Sequence, residues 1–388
     1  MKTRELLAEL VAFNTVSHLP NVDLIDYIAR YLAQHGVVST IVPSLDGQKA
    51  SLYATIGPSA RGGIILSGHT DVVPAAPDGW HSPPFELTAR DGRYYGRGTA
   101  DMKGFIACAL AAVPAWLEEN LQSPVHLAFS HDEETGCLGA PALIAHMREH
   151  IQAPVACVVG EPTSMRIAVA HKGTLACRVC ASGMPGHSSL APHLLNPIYP
   201  MAELALALRD ASQHFRMHGP HDAEFEVPHT TVHVGRMQGG EQVNIVPSQC
   251  SMDLEIRHLP GSDATDLRRA LLDAPMMKFA QAARGAGVAV PTVETMYAYP
   301  ALDTSPESDF VTRLKALLRT GEHIKVAYGT EAGLFQQGLG IPTVVCGPGS
   351  IEQAHQPNEY ICELQLRECE AFMRSLPRLL AEAEHSGT

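Results

Sequence analysis

The sequence is poor in charged and aromatic residues, which make up 18% and 6% of its 388 residues. It has no apolar run long enough to span a bilayer, and it has no Gly-x-Ser-x-Gly motif, solenoid-period repeat or low-complexity tract. These absences argue against a membrane-spanning protein, a hydrolase with a serine nucleophile, a repeat protein and a disordered chain. Hydrophobic residues make up 45% of the chain, which is typical of a globular enzyme.

The nine cysteines are an odd number without the spacing of a disulfide framework. Cys177 and Cys180 have redox spacing, but positions three apart in their predicted strand face opposite sides, so we interpret the spacing as incidental. Met1 to Leu10 place acids within an apolar pattern, which predicts an amphipathic helix rather than a signal peptide. We therefore expect a cytoplasmic protein with reduced thiols. The net charge of −13 disfavours nucleic acid and anionic membranes as partners.

The chain is longer than one compact core usually serves, so we expect two domains. Strands and helices alternate up to residue 170 and again after Pro306, which predicts an α/β domain with a mixed or parallel sheet flanked by helices. Between them the predicted order is βαββαβ, the ferredoxin-like pattern. The predicted domains are residues 1–170 together with 299–388, and an inserted domain of residues 171–298.

Long helical patterns are predicted near both ends of the chain. Apolar positions at helical spacing extend from about Thr3 to His35, and we interpret them as a packing face. A long amphipathic helix is predicted from Glu359 to Ala383.

Several predicted strands lead directly into a histidine or an acid. Each residue alone has an ordinary explanation, such as a satisfied core histidine or a solvated acidic turn. Parallel α/β sheets, however, bind ligands outside the carboxyl ends of their strands. Several strands that each lead into a histidine or an acid therefore favour a shared site. The side chains concerned are His69, the adjacent Glu133 and Glu134, Glu161 and His355.

Asp101 lies in a glycine-containing segment at the start of a predicted helix. As a dinucleotide-binding fingerprint this segment fails, because Asp101 occupies the position of the third glycine and no strand leads directly into it. A nucleotide-binding oxidoreductase is therefore disfavoured. A metal-bridging aspartate explains both the acid and the neighbouring glycines better.

Together these residues provide two imidazoles and three carboxylates beside a further acid, which suits two divalent ions that share one carboxylate. Zinc is the first choice, and donors without a thiolate also accept cobalt or manganese. Two such ions can clamp a hydroxide and polarise an acyl oxygen, which is the chemistry of amide hydrolysis. The predicted ligands are His69, Asp101, Glu134, Glu161 and His355.

Four motifs resemble the dinuclear zinc aminoacylase and deacetylase family, and the resemblance covers essentially the whole chain. It implies that His69 and Glu161 hold one metal, that Glu134 and His355 hold the other, and that Asp101 bridges them. It also implies that Asp71 orients His69, that Glu133 is the general base, and that the Asp101-Met102 peptide is cis. The motifs are Gly68-His69-Thr70-Asp71-Val72-Val73-Pro74, Gly96 to Gly104, Asp132-Glu133-Glu134 and Gly160-Glu161-Pro162.

In this family the inserted domain acts as a lid and forms a homodimer, which the resemblance implies here too. By the same resemblance, His187 reaches the partner subunit's metal site and stabilises the tetrahedral oxyanion. Asn244 would bind substrate, and Arg257 would bind the substrate's α-carboxylate. Without the family, His187 and Asn244 would be interpreted as turn residues, and Arg257 as a surface residue at a strand end.

Two further segments, Tyr328 to Gln336 and Cys346 to His355, look most like the acetylornithine deacetylase branch of this family. The expected substrate is therefore a small N-acyl amino acid, with N2-acetyl-L-ornithine as the first choice. Glu331 is expected either to meet a substrate ammonium or to cap a helix. A desuccinylase, a broad aminoacylase and a catalytically silent binding homologue are the alternatives.

Overall fold

The computed structural model describes residues 2–59, 62–76, 78–119 and 121–381. The strands in chain order are β1 Ser39–Pro43, β2 Ala50–Ile56, β3 Ile64–His69, β4 Thr88–Arg90, β5 Arg93–Tyr95, β6 Val125–Ser130, β7 Ala156–Pro162, β8 Ala168–His171, β9 Gly173–Ser182, β10 Gly186–His187, β11 Thr231–Gly239, β12 Ile245–Val246, β13 Gln249–His258, β14 Thr292–Tyr299, β15 Leu302–Asp303, β16 Ile324–Val326, β17 Thr343–Gly347 and β18 Tyr360–Cys362.

The helices in chain order are α1 Thr3–Ala12, α2 Val22–Gln34, α3 Lys103–Glu118, α4 Ala140–His150, α5 Ile198–His218, α6 Ala264–Arg268, α7 Ala274–Gly285, α8 Asp309–Leu317, α9 Ala332–Leu339 and α10 Glu363–Ala381. A 3-10 turn covers Ser188–His193, and a π turn covers Arg269–Asp273 between α6 and α7. Within the described ranges, none of the helices has both the length and the apolar character needed to cross a membrane.

The chain divides into two compact units. The first comprises Met1–Ala170, Leu302–Lys325 and Thr330–Thr388, and the second comprises His171–Ala301 and Val326–Gly329. The boundaries predicted from the sequence lie at 170/171 and 298/299.

The first unit is built on a mixed sheet with the strand order β1-β2-β6-β3-β7-β17-β8-β15, in which β16 pairs with β8. The central strands β6, β3, β7 and β17 run parallel, while β1 and β2 add antiparallel pairs on one side. The predicted mixed sheet flanked by helices is thus confirmed. Since the central strands are parallel, their carboxyl ends lie at the same edge of the sheet.

Side chains of the central strands alternate between two faces, as strand geometry requires. Ile64 and Leu66 of β3 are buried in a core cluster with residues of α1, α2, α3 and α10. Gly160 of β7 allows α3 to approach closely, because a Cβ there would lie 2.0 Å from the Phe105 ring. Ser67, the residue after Leu66, faces the other way and donates a hydrogen bond to Glu331 at the start of α9.

The structure differs from the predicted helices at both ends of the chain. The pattern from Thr3 to His35 forms two helices, because residues 13–21 form a loop in which Val16 bridges to Val72 and Pro20 supplies no amide hydrogen. The last helix begins at Glu363 rather than Glu359, because Tyr360–Cys362 pairs with β5. Residues 382 and 383, where this helix was predicted to end, lie outside the described residues.

The second unit contains an antiparallel sheet with the order β11-β13-β9-β14, packed against α5 and α7. Its element order is βαββαβ, as the sequence predicts, with short elements added in the connections. Cys177 lies in the buried core of this unit and Cys180 outside it, and all nine cysteines are free. The redox spacing is therefore incidental.

Candidate metal centre

All the predicted metal ligands lie in the first unit, near the carboxyl edge of its main sheet. His69 is the last residue of β3, Glu161 is the penultimate residue of β7, and Asp101 lies just before α3. Glu133 and Glu134 follow β6, and His355 follows β17. The parallel strands therefore bring together residues that are far apart in the sequence.

His69 is buried and oriented by the backbone. Its Nδ1 lies 2.8 Å from the backbone carbonyl oxygen of Asp71. A carbonyl oxygen only accepts hydrogen bonds, so Nδ1 carries the hydrogen, and Nε2 of the neutral ring has a free lone pair. Nε2 faces two carboxylates, at 2.9 Å from Asp101 Oδ1 and 3.5 Å from Glu161 Oε1.

His355 makes a similar set of contacts on the other side of Asp101. Its Nε2 lies 3.2 Å from Asp101 Oδ2 and 3.0 Å from Glu134 Oε2. Asp101 thus presents one oxygen to each imidazole, which is the arrangement of a bridging carboxylate. The Asp101-Met102 peptide bond is cis, as the resemblance implies.

The electrostatics of this cluster fit divalent cations. Burial raises the pKa of Glu133 and Glu161 well above the usual range, and nearby carboxylates raise it further. Burial also opposes ionisation of Asp101, but the neighbouring imidazoles of His355 and His69 lower its pKa. Buried carboxylates facing imidazole nitrogens provide the mixed nitrogen and oxygen donors that suit such ions.

Geometry alone does not separate the roles of Glu133 and Glu134. Ligand atoms of His69, Glu133 and Glu161 lie within 4.8 Å of one another, and so do those of His69, Asp101 and Glu134. Glu133 also accepts a hydrogen bond of 3.4 Å from the Cys137 thiol. Glu134, for its part, contacts His355 at 3.0 Å.

Asp71 contacts the glutamate pair as well as His69. Its carboxylate accepts hydrogen bonds from the backbone amides of Glu133, at 3.1 Å, and Glu134, at 3.3 Å. It also accepts one from the Ser17 hydroxyl at 2.7 Å. Its distance to His69 Nδ1 is longer, 3.6 Å, so the carboxylate fixes the glutamate turn more closely than the ring.

Glu331 is buried and its carboxylate is held by two hydroxyl groups. Ser67 donates to one oxygen at 2.5 Å and Ser130 donates to the other at 2.7 Å. Because Glu331 is only 1% exposed, contact with a substrate ammonium would require these bonds to open. The predicted substrate contact of Glu331 therefore stays a prediction.

The remaining predicted residues lie in the second unit. His187 is exposed, and it pairs with Ile245 next to Asn244. Its Nδ1 accepts a hydrogen bond from the Ser189 backbone amide, so the neutral ring carries its hydrogen on Nε2. Arg257 Nε donates to Glu255 at 2.6 Å.

Sequence reasoning does not single out two buried residues beside the ligands. Glu359 follows His355 by four residues, and Arg97 precedes Asp101 by four; the two form an ion pair of 2.7 Å. The sequence signal that could have identified them is that two residues of opposite charge each lie four positions from a predicted ligand. It is weak, because their pairing depends on contacts between segments far apart in sequence.

Comparison with known proteins identifies the family. Residues 65–378 match the profile of peptidase family M20/M25/M40, which covers most of the chain. The chain belongs to this family. It is also similar to an acetylornithine deacetylase from Pasteurella multocida (strain Pm70), with 36% identity over 366 residues that cover 92% of each chain. The protein is therefore a metal-dependent amidohydrolase of the M20 family.

Solved structures of the M20 family share the fold. An M20 family metallo-carboxypeptidase from Sulfolobus solfataricus has a TM-score of 0.76 at 20% identity, covering 98% of this chain and 99% of the other. A dinuclear metal-binding peptidase of the M20 family from Bacillus subtilis has a TM-score of 0.64 at 16% identity, with 98% of each chain covered.

Proposed function

We propose that this M20 amidohydrolase removes the acetyl group from N2-acetyl-L-ornithine, giving L-ornithine and acetate. The observation that carries the hydrolytic part is the position of Asp101, with one oxygen facing His69 and the other facing His355. The choice of substrate is supported by the similarity to the acetylornithine deacetylase, which extends over nearly the whole of both chains.

The residues present would hold two divalent cations, zinc as the first choice, with cobalt or manganese as alternatives. His69 and Glu161 would hold one, Glu134 and His355 the other, and Asp101 would contribute an oxygen to each. When bound, the cations supply Lewis-acid polarisation of the acyl oxygen and acidify a water molecule.

Glu133 is the proposed general base. It takes a proton from the attacking water and passes it to the leaving amine, so it must exchange protons near the working pH. Its burial among other carboxylates supports this role because it raises the pKa of the side chain. Asp71 keeps the Glu133 backbone in place through the hydrogen bond from its amide.

Three residues of the second unit are the further proposed contacts for the substrate and the oxyanion. His187 presents an Nε2 hydrogen suited to the tetrahedral oxyanion, and in a homodimer it would serve the partner subunit's site. Arg257, held by Glu255, offers a guanidinium for the substrate α-carboxylate, and Asn244 is the proposed third contact. The nine free cysteines support the expected cytoplasmic location.

The test is a panel of N-acetyl, N-succinyl and N-formyl amino acids, assayed for amine release by metal-free protein and after addition of Zn²⁺, Co²⁺ or Mn²⁺. We expect metal-dependent release with the highest kcat/KM for N2-acetyl-L-ornithine. A higher value for an N-succinyl substrate would favour a desuccinylase, and similar values for many N-acetyl amino acids would favour a broad aminoacylase. No release with any metal would overturn the proposal in favour of a silent homologue.

A further inference from the structure

Glu359 lies at the meeting point of two ligand-bearing segments of the first unit. It is 1% exposed, and both of its carboxylate oxygens accept two hydrogen bonds. Oε2 accepts from Arg97 Nη1 at 2.7 Å and from the Gly98 amide at 2.9 Å. Oε1 accepts from the amides of Ala100 at 2.8 Å and Asp101 at 3.1 Å. All four donors belong to the segment that ends at Asp101.

We propose that Glu359 is a positioning residue that holds the Asp101 segment and the His355 loop in their metal-binding arrangement. The inference rests on the proposed function, since it assigns a role toward the same pair of cations. Glu359 would not touch the cations or the substrate. It would act through Asp101, whose amide it binds, and through the chain that joins it to His355.

The backbone of this segment is shaped for a bound carboxylate. The backbone amides of residues 98, 100 and 101 all donate to the one carboxylate of Glu359, and such concave groups of amides bind anions. Gly98 has a φ of +84°, a conformation that favours glycine, and a Cβ there would lie 2.8 Å from Val72 Cγ1. Hydrogen bonds to an ionised acceptor are about twice as strong as neutral ones, so the charge of Glu359 contributes to holding this shape.

Arg97 makes the buried charge tolerable. Its guanidinium pairs with Glu359, donates to the Pro74 carbonyl at 3.3 Å and lies over the Trp80 ring at 5.3 Å. A buried carboxylate with these partners is paired and hydrogen-bonded rather than isolated. The backbone carbonyl of Glu359 also accepts a hydrogen bond from the Gly96 amide at 3.0 Å. The two segments are therefore joined by both side chain and backbone.

The proposed role predicts unequal effects on the two cation positions. Asp101 and His355 both belong to the position that also includes Glu134, whereas only Asp101 is shared with the His69 and Glu161 position. Loss of residues that orient metal ligands typically lowers metal affinity by about 10- to 100-fold. We expect Glu359→Gln to cause a loss of that size at the His355 position and a smaller one at the His69 position.

Glutamine keeps the size of the side chain, but its amide nitrogen cannot accept a hydrogen bond, so two of the four donors lose their acceptor. The matched control is Glu352→Gln, which changes the same residue type at an exposed position of the same loop. Metal-free wild type and variants would be titrated with Co²⁺ and followed by visible absorption and calorimetry. Unfolding of the metal-free proteins would be measured in parallel.

The expected result is that Glu359→Gln weakens one of the two Co²⁺ binding steps about 10- to 100-fold and the other step less, while Glu352→Gln matches wild type at both steps. Two unchanged steps would overturn the inference, and so would equal weakening of both steps with a lower unfolding midpoint. If Glu359→Gln does not fold, Glu359→Asp, which keeps the charge but is too short to reach all four donors, must show the same selective loss. Wild type that binds no Co²⁺ would instead contradict the proposed function.

Discussion

Asp101 is the residue on which both halves of the proposed metal centre depend. Its two oxygens face different imidazoles at 2.9 and 3.2 Å, and its amide is bound by Glu359. A residue held by two side-chain contacts and one backbone contact has little freedom to move. Because the proposed ligands are held by several contacts, substitution of one neighbouring residue should not displace them, and such residues can be tested by single substitutions.

The first prediction at this scale concerns Glu133. Glu133→Gln should lower kcat by about a hundred- to ten-thousandfold, because the change removes a proton carrier. Metal content should stay as in wild type, because in the proposed assignment Glu133 is not a ligand. Metal analysis and kinetics on the same preparation check both points.

Glu134→Gln is the paired variant, and it should lose metal affinity, since Glu134 contacts His355. If Glu133→Gln loses metal and Glu134→Gln keeps it, the roles of the two residues are exchanged. The experiment therefore decides between two neighbours whose ligand atoms both lie within 4.8 Å of a His69 nitrogen.

The proposed ligands could be predicted from the sequence because each lies near the end of a recognisable buried strand or just before a helix. The hydrogen-bond partners of the buried carboxylates around them could not. Glu331 meets Ser67 and Ser130, and Glu359 meets Arg97, across long stretches of sequence that no local pattern connects. Asp71 was expected to orient His69, and its carboxylate is closer to the amides of the glutamate turn.

At the scale of elements, the contact between β7 and α3 places Glu161 beside Asp101. We predict that Gly160→Ala lowers the free energy of unfolding by roughly 1–3 kcal/mol, the usual cost of overpacking a core. The added methyl group would overlap the Phe105 ring. Chemical unfolding of the metal-free protein measures the effect.

Gly321→Ala is the control, because a Cβ at Gly321 meets no atom within 4 Å. It should leave stability nearly unchanged. A Phe105→Leu change combined with Gly160→Ala should recover part of the loss if the ring is the obstacle. If Gly160→Ala is as stable as Gly321→Ala, the prediction is wrong, and α3 moves to accommodate the methyl group without loss of stability.

The succession of helices and strands along the chain could be read from apolar periodicity, but the ends of the elements could not. The pattern from Thr3 to His35 is continuous in sequence, and only the contacts of residues 13–21 with the segment after β3 reveal the break. Likewise, Tyr360–Cys362 is a strand because β5 is available as a partner. Tertiary pairing overrode helical periodicity at both places.

At the scale of the whole molecule, the proposed homodimer can be tested by mixing two inactive variants. A His187→Ala subunit keeps its own Glu133 and would receive the partner's His187, so one site of the mixed dimer is intact. Its other site carries both changes. Loss of an oxyanion donor costs about a hundred- to a thousandfold, so recovery on mixing with Glu133→Gln should exceed the background.

The measurement is activity after subunit exchange, with the formation of mixed dimers checked by differently tagged chains. If His187 acts within its own subunit, every site of the mixed dimer carries one change and no activity returns. Mixed dimers without recovered activity would therefore reject the shared site.

The order of the ligands along the chain has a consequence for biosynthesis. His69, Asp101, Glu134 and Glu161 are all translated before the second unit begins, whereas His355 is translated only after that unit is complete. Strand β17 and helix α10, which belong to the sheet and the core of the first unit, are also translated after the second unit. A nascent chain therefore carries most of the proposed ligands early, but it lacks the second imidazole, Glu359 and part of the supporting core until translation is nearly finished.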